Sequence, residues 1–295
     1  MKPVSFLLAG GAILLWASLA LLGSRVSHLP ALLVTGVALC IGGCLGLVRV
    51  REWRVPLATL GVGIGGIFGY HVMLFSAFRL SPIVEANLVN YLWPLLIVLL
   101  SPAILPGLGL RLRHVVGAFM GLAGAALIVS GGSIHPDFSA LPGYLLAAAA
   151  ALTWAVYSLL TKRLPAFGSG AVGAFCVAAG ALSLLVHTAQ SGAAGFTGIR
   201  PQDWLVLAAL GVGPMGAAFF LWDAALKRGD PRVIGALSYL TPLLSTLALT
   251  VIGGRGISVL AVIAMALIVA GAAVGSLGRR VAGSASVREA DLHSG

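Results

Sequence analysis

The sequence predicts an all-α polytopic membrane protein with ten transmembrane helices, arranged as two inverted five-helix repeats. Three observations lead to this fold class: an apolar composition, ten apolar stretches of membrane-spanning length, and an internal repeat. Of the 295 residues, 59% are hydrophobic and 9% are charged, whereas soluble domains carry about 25% charged residues. So few charged side chains cannot cover a water-facing surface, and the classes of soluble protein are therefore excluded.

Ten apolar stretches are long enough to cross a bilayer, which requires about 20 helical residues. They are bounded by charged residues, glycine or proline, and their connections are short. The first stretch resembles a signal peptide, but nine similar stretches follow it, so we interpret it as a span. The predicted spans are 4–22, 30–48, 56–78, 82–101, 113–131, 141–160, 170–189, 203–226, 232–252 and 257–277.

The basic residues support this number of spans. With ten spans, 14 of the 18 Lys and Arg residues fall on the side that holds both termini. These are Lys2, Arg49, Arg51, Arg54, Arg111, Arg113, Lys162, Arg163, Lys227, Arg228, Arg232, Arg279, Arg280 and Arg288. The other side holds Arg25, Arg79, Arg200 and Arg255. Since Lys and Arg mark the cytoplasmic side, both termini are predicted to be cytoplasmic. The net charge of +10 therefore indicates topology and not a nucleic-acid partner.

Several short stretches recur about 140–150 residues apart. Tyr91-Leu-Trp-Pro-Leu-Leu96 returns as Tyr239-Leu-Thr-Pro-Leu-Leu244, and Trp16-Ala17 returns as Trp154-Ala155. A five-span unit starts its second copy from the opposite side of the membrane, so the halves are inverted, as in secondary transporters. We expect a first repeat over residues 1–137, a second over 138–280, and a disordered cytoplasmic tail over 281–295.

Ten spans in two repeats, with Tyr-Leu-x-Pro in the fourth and ninth spans, resemble the EamA branch of the drug/metabolite transporter superfamily. The resemblance covers residues 1–280. Within that superfamily, the segment 85–100 is similar to the YddG-type aromatic amino acid exporters. The resemblance implies export from the cytoplasm, and we expect a multi-pass protein of the bacterial inner (cytoplasmic) membrane.

Polar side chains inside the spans are candidate site residues, because hydrocarbon offers them no hydrogen bonds. The two asparagines of the chain, Asn87 and Asn90, share one helical face of the fourth span with Tyr91 and Pro94. Pro94 has no N–H for the carbonyl of Asn90, which can then face a ligand. The alternative is that both amides hold helices together.

The equivalent face of the ninth span carries Ser238, Tyr239 and Pro242. The pseudo-two-fold axis would place the two proline-containing helices opposite each other at the midplane. We therefore include these three residues in the predicted substrate site.

Tryptophan inside a span needs a partner for its indole N–H, and a cavity can supply one. Trp16 and Trp154 are repeat mates in this position, and Tyr157 extends the same face. Trp222 and Trp93 are left open, since Trp93 lies about one residue away from the asparagine face.

His71 and Phe75 lie four residues apart on the third span. His71 can donate to a substrate carboxylate, carry a coupling proton, or simply pack as a neutral residue. Glu85 is a second candidate for proton coupling, or it lies at headgroup level and pairs with Arg79. Asp223 and Lys227 are spaced for an i, i+4 ion pair.

Other familiar motifs carry no function here. Residues 61–66 match G-x-G-x-x-G but follow no strand, and we expect Gly61, Gly65 and Gly69 to form a ridge for close helix approach instead. The three cysteines have no ligand set around them. We therefore predict no metal, no cofactor and no catalytic residues.

The leading functional hypothesis is a secondary transporter that exports small neutral metabolites, with aromatic or other hydrophobic amino acids as substrates. Aromatic walls suit flat ligands, and the few polar groups can orient an amino-acid backbone. The alternative within transport is proton-coupled efflux of hydrophobic drugs or dyes; a membrane-embedded enzyme or a channel is a further alternative. The expected partners are an amino acid-like substrate and the lipid bilayer. The oligomeric state stays open, and a monomer is compatible with the sequence.

Overall fold

The computed structural model describes residues 3–134, 137–252 and 258–276, and within these ranges the regular structure is helical throughout. The first half contains α1 (Pro3–Ala17), α2 (Leu19–Arg25), α3 (Ala31–Cys44), α4 (Leu57–Leu80), α5 (Ile83–Asn90), α6 (Leu92–Ile104) and α7 (Leu112–Ser130). The second contains α8 (Leu141–Arg163), α9 (Ala171–Ser191), α10 (Pro201–Val212), α11 (Ala218–Arg228), α12 (Pro231–Leu237), α13 (Leu240–Ile252) and α14 (Val259–Ser276). The predicted tail and the basic residues Lys2, Arg255, Arg279, Arg280 and Arg288 lie outside the described ranges.

Nine helical segments in the described ranges are long and apolar enough to cross a membrane. They coincide with nine of the predicted spans, and several consist of consecutive helices or include a 3₁₀ extension such as Leu45–Trp53 after α3. The exception is the predicted ninth span, which is divided into α12, of 7 residues, and α13, of 13 residues. The chain is therefore a polytopic helical protein, and the tenth crossing stays a prediction.

The Tyr-Leu-x-Pro sequences coincide with two helix breaks. The first separates α5 from α6 at Tyr91, and the second separates α12 from α13 at Ser238 and Tyr239. Pro94 and Pro242 follow these breaks, and a proline has no N–H for the carbonyl four residues before it. The repeated proline is thus the local cause of an interruption at corresponding places in both halves.

The helix packing repeats when the two halves are exchanged. α3 packs on its counterpart α9, and α7 packs on its counterpart α14. α4 of the first half packs on α8, the first helix of the second half. Exchange of the halves turns this pair into α11 and α1, which also pack on each other. The same correspondence relates the pair α6 and α8 to the pair α13 and α1.

Glycine allows the closest of these contacts. A Cβ atom on Gly117 of α7 would lie 2.5 Å from the carbonyl oxygen of Gly271 on α14, and one on Gly43 of α3 would lie 2.7 Å from that of Gly173 on α9. Backbones can approach this closely only where side chains are absent, as is common in membrane bundles.

The predicted glycine ridge on α4 is wrong. A Cβ atom on Gly61 or Gly65 would meet nothing within 4 Å, and one on Gly69 would meet its nearest atoms at 3.8 Å. Instead, a Cβ atom would lie 2.3 Å from the ring of Phe175 at Gly63 and 2.4 Å from the ring of Tyr157 at Gly66. The face of α4 that packs closely is set by these two bulky partners, which the spacing of glycines in α4 alone does not reveal.

Candidate functional site

Side chains with rings meet at the centre of the bundle, contributed by five helices. We call them the ring cluster: Trp16 on α1, Tyr70, His71 and Phe75 on α4, Trp93 on α6, Trp154 and Tyr157 on α8, and Phe219 and Trp222 on α11. The ring centroids of Trp16 and Trp154 are 6.0 Å apart, and those of Trp16 and Trp222 are 5.1 Å apart. Most of these contacts are edge-on or tilted, the geometry that the charge distribution of aromatic rings favours.

Trp154 lies at the middle of the ring cluster. Its ring centroid is 5.2 Å from that of Tyr70, 5.4 Å from that of Tyr157 and 5.4 Å from that of Phe219. Only 4% of Trp154 is exposed. The residue therefore connects the rings of α4, α8 and α11.

The indole of Trp222 is held in one orientation by a buried hydrogen bond. Its Nε1–H donates to the hydroxyl oxygen of Ser158 on α8, 3.1 Å away. Both residues are almost completely buried, and a buried indole N–H without a partner would be costly. The bond fixes one wall of the ring cluster relative to α8.

Asn90, the last residue of α5, places an amide beside the ring cluster. Its Nδ2 donates to the hydroxyl oxygen of Tyr70, 3.2 Å away. Its Oδ1 is buried, and none of the described groups donates a hydrogen bond to it. A buried acceptor without a partner costs about 1–3 kcal/mol, so this oxygen is a strong candidate for a ligand contact.

His71 contributes a nitrogen to the same region. Its Nδ1 lies 2.7 Å from the carbonyl oxygen of Ile67, one turn earlier on α4. Because a carbonyl only accepts, Nδ1 carries the proton of this bond, and Nε2 of the neutral ring is an acceptor. The imidazole lies 6.0 Å from the ring of Phe75 and 6.4 Å from that of Phe219.

The structure brings together one group of the predicted site residues. Trp16, His71, Phe75, Trp154 and Tyr157 belong to the ring cluster, and Asn90 reaches it through Tyr70. Pro94 is buried beside Trp93 in α6, whereas Asn87 is half-buried on α5 and Glu85 lies in the first turn of that helix. None of these last three is a member of the ring cluster.

The predicted residues of the ninth span lie elsewhere. Ser238 donates to the carbonyl oxygen of Ile234, 3.0 Å away, within its own helix. The Tyr239 ring packs in a separate apolar group with Ala125, Leu243 and Ile268. Pro242 is buried next to this group. The ring of Tyr239 therefore faces α7 and α14, and Ser238, Tyr239 and Pro242 are not members of the ring cluster.

Four members of the ring cluster go beyond the predicted set. Trp93 and Trp222 were left open by the sequence, and Tyr70 and Phe219 were not predicted. Phe219 lies three residues before Trp222, a spacing that places both on one helical face and could have revealed it. Trp93 follows Asn90 by three residues, and from the first turn of α6 its ring meets those of Trp16, Trp154 and Trp222.

The predicted ion pair between Asp223 and Lys227 is confirmed, with Nζ 2.7 Å from Oδ2. The hydroxyl of Ser169 donates to the same carboxylate oxygen at 2.6 Å. Lys227 also donates to the carbonyl oxygen of Phe167 and lies 3.4 Å from the centroid of its ring. These contacts join the end of α11 to the loop that precedes α9.

Comparisons with known proteins agree with a transport role for such a bundle. Residues 4–130 and 141–277 match the EamA-like transporter family. The aromatic amino acid exporter YddG of Ancylobacter novellus is 46% identical over 277 residues, which cover 90% of this chain and 94% of the exporter. The Escherichia coli exporter of the same name is 27% identical over 68% of this chain and 70% of its own. A solved crystal structure with 44% identity superposes with a TM-score of 0.87, covering 94% of this chain and 98% of the other.

Proposed function

Because the chain belongs to the EamA-like transporter family, we propose that it is a secondary transporter that exports aromatic and other hydrophobic amino acids. The membrane that we propose is the bacterial inner membrane. The relatives from Ancylobacter novellus and Escherichia coli are named as aromatic amino acid exporters, and a further relative in Salmonella typhimurium is named as a probable amino-acid metabolite efflux pump.

The observation that carries this proposal is a buried acceptor without a partner beside the ring cluster. The rings offer faces and edges on which a substrate side chain can stack. Asn90 Oδ1 can accept a hydrogen bond from the substrate ammonium group, and such charge-assisted bonds are about twice as strong as neutral ones. The combination fits a ligand with a flat apolar side chain and a polar backbone.

Each part of the proposed site has its own role. Trp16, Trp154 and Trp222 stack on the substrate side chain, and Asn90 and Tyr70 orient its ammonium group. The rings touch each other directly in this structure, so a substrate ring replaces some of these contacts when it binds. Rocking of the two halves would separate the rings and open the site to alternate sides.

We further propose that residues 1–137 and 138–280 are inverted five-helix repeats, with ten crossings and both termini in the cytoplasm. Three observations support this topology. The family matches the chain twice, over 4–130 and 141–277, the helix packing repeats when the halves are exchanged, and 14 of 18 basic residues fall on one side.

The substrate class can be tested with the purified protein in liposomes. Counterflow of labelled Phe and Trp should be saturable, that of Leu slower, and that of Thr close to the protein-free background. A labelled cationic dye should not move. If only the dye is transported, the amino acid proposal is wrong; if flux rises linearly with concentration without saturating, the protein is a channel.

A second candidate function is proton-coupled efflux of hydrophobic dyes, which His71 favours. The hydrogen bond of its Nδ1 leaves Nε2 as the atom that can take up a proton next to the ring cluster. In that case dye accumulation in inverted vesicles should require a pH gradient and should be lost in His71→Gln. The amino acid proposal expects counterflow without any gradient.

A further inference from the structure

A cavity lies away from the ring cluster, at the end of the bundle where basic residues concentrate. Its volume is about 500 Å³, and it is bounded by α1, the 3₁₀ segment Leu45–Trp53, the start of α9 and the end of α11. Arg49 and Arg228 lie on its wall together with Ser169. Nothing in the proposed transport cycle uses this cavity.

The cavity has a polar part and an apolar part. Leu8, Phe220 and Leu221 also form its wall, and Leu221 precedes Arg228 by seven residues, about 10 Å of helix. The apolar residues therefore lie deeper in the bundle than the arginines. Val4, half exposed at 51%, is on the rim of the same cavity, so the cavity is continuous with the outer surface of α1.

The two arginines have no carboxylate within 4.0 Å anywhere in residues 3–134, 137–252 and 258–276. The acidic groups nearby are already bonded. Glu52 accepts from the backbone N–H of Gly170 at 2.7 Å, and Asp223 accepts from Ser169 and Lys227. The polar part of the cavity is therefore cationic, and the first N–H groups of α9 are not available to an anion.

We propose that this cavity binds one anionic phospholipid, with its phosphate on Arg49 and Arg228 and an acyl chain along Leu8 and Leu221. A free phosphate would leave the apolar part unfilled, and a zwitterionic lipid would gain less from two arginines. Basic pockets between transmembrane helices on the cytoplasmic side are suited to anionic headgroups. The apolar length below the arginines distinguishes this ligand from an amino acid.

Helix α11 contributes residues both to this cavity and to the ring cluster. α11 presents Phe219 and Trp222 to the ring cluster, and it presents Phe220 and Leu221 to the cavity. A bound lipid would thus contact the same helix that carries two rings of the proposed substrate site.

Native mass spectrometry of the delipidated full-length protein tests the proposal. Phosphatidylglycerol, phosphatidylcholine and inorganic phosphate are titrated separately, and the bound adducts are counted. We expect one tightly bound phosphatidylglycerol, with phosphatidylcholine weaker by about tenfold. The double variant Arg49→Gln/Arg228→Gln should bind phosphatidylglycerol about tenfold or more weakly, since each arginine near a membrane surface contributes favourably.

Two further variants make the test specific. Arg51→Gln/Arg54→Gln removes two exposed arginines that do not line the cavity and should leave the tight adduct intact. Val4→Trp places a large side chain at the rim of the cavity and should weaken the adduct while both arginines remain. Equal binding of phosphatidylcholine, displacement by phosphate alone, or equal loss in the Arg51/Arg54 variant would overturn the proposal.

Discussion

The hydroxyl of Tyr239 donates a hydrogen bond to the backbone carbonyl oxygen of Tyr91, 3.1 Å away. The two tyrosines occupy equivalent positions in the repeated Tyr-Leu-x-Pro sequence, and each lies at the helix break of its own half. The bond therefore joins the two interruptions, and it satisfies a carbonyl at a point where the regular helix pattern stops.

Tyr239→Phe should lower the thermal stability without abolishing transport. The substitution keeps the buried ring, removes one hydrogen bond worth about 1 kcal/mol, and should lower Tm by roughly 2–4 °C. Tyr144→Phe is a matched control, since its hydroxyl makes only an exposed contact with the backbone of Asp137. Equal Tm values for both variants would show that the link between the breaks does not stabilise the bundle.

Gly66→Ala and Gly65→Ala should have opposite effects on stability. A methyl group at Gly66 would lie 2.4 Å from the ring of Tyr157, and overpacking of this kind costs about 1–3 kcal/mol. At Gly65 a methyl group meets nothing within 4 Å, and the loss of unfolded-state freedom should stabilise by up to about 1 kcal/mol. Thermal melting of both variants in one detergent compares them directly, and a larger loss at Gly65 would contradict the packing of α4.

Asn90→Leu should separate binding from stability. Leucine has a similar size. It removes the buried acceptor that lacks a partner, and this gain offsets the lost hydrogen bond from Asn90 Nδ2 to the Tyr70 hydroxyl, so Tm should change little. If Asn90 Oδ1 accepts from the substrate ammonium, KM for phenylalanine should rise about tenfold or more. Ser183→Ala removes a buried hydroxyl bonded to Ala179 on α9, a helix that contributes no ring to the ring cluster, and should leave KM unchanged. A lower Tm with an unchanged KM would make Asn90 a residue that holds helices together.

Asp230 should make the fold sensitive to acid. Burial raises the pKa of Asp230, but the hydrogen bonds from Arg232 and the charge of its guanidinium outweigh this and hold the pKa below its ordinary value. A carboxylate with a lowered pKa stabilises the folded state above about pH 4, and this stabilisation is lost as the pH falls through the folded-state pKa. Asp230→Asn should therefore have a lower Tm at pH 7 and a smaller further decrease between pH 7 and 3.5 than the unsubstituted protein. Parallel pH dependences of the two proteins would contradict this role.

The spans were predictable because the hydrocarbon core imposes a length and a composition on each helix. Nine of the ten predicted spans have a helical counterpart of membrane-spanning length among the described residues. The predicted ion pair of Asp223 and Lys227 was predictable for a similar reason, since both residues lie on one helix at a fixed spacing. Local rules that depend on one helix alone were thus sufficient for these features.

Contacts between helices were harder to predict, because they depend on the rotation of each helix about its axis. Tyr70 lies next to His71 in the sequence, and a helical wheel separates the two by about 100°, yet both rings meet Trp154 or Phe219 across the interface. Tyr239 occupies the same position in the repeated Tyr-Leu-x-Pro sequence as Tyr91. Its ring nevertheless packs away from the ring cluster, beside Ala125 and Ile268. The residue pattern of one helix does not indicate how that helix is rotated about its axis against its neighbours.

Trp154 gives the most direct test of the proposed substrate site, because it contacts the rings of four neighbouring helices. Trp154→Ala should be compared with Trp204→Ala, because Trp204 is 51% exposed at the start of α10. The measurement is counterflow of labelled phenylalanine in liposomes, with the folded fraction of each variant checked by gel filtration. We expect Trp154→Ala to lose about 90% or more of the saturable flux, as expected when a stacking contact of more than 1.4 kcal/mol is removed, while Trp204→Ala keeps it. Unchanged flux in a well-folded Trp154→Ala variant would contradict the assignment of the ring cluster as the substrate site.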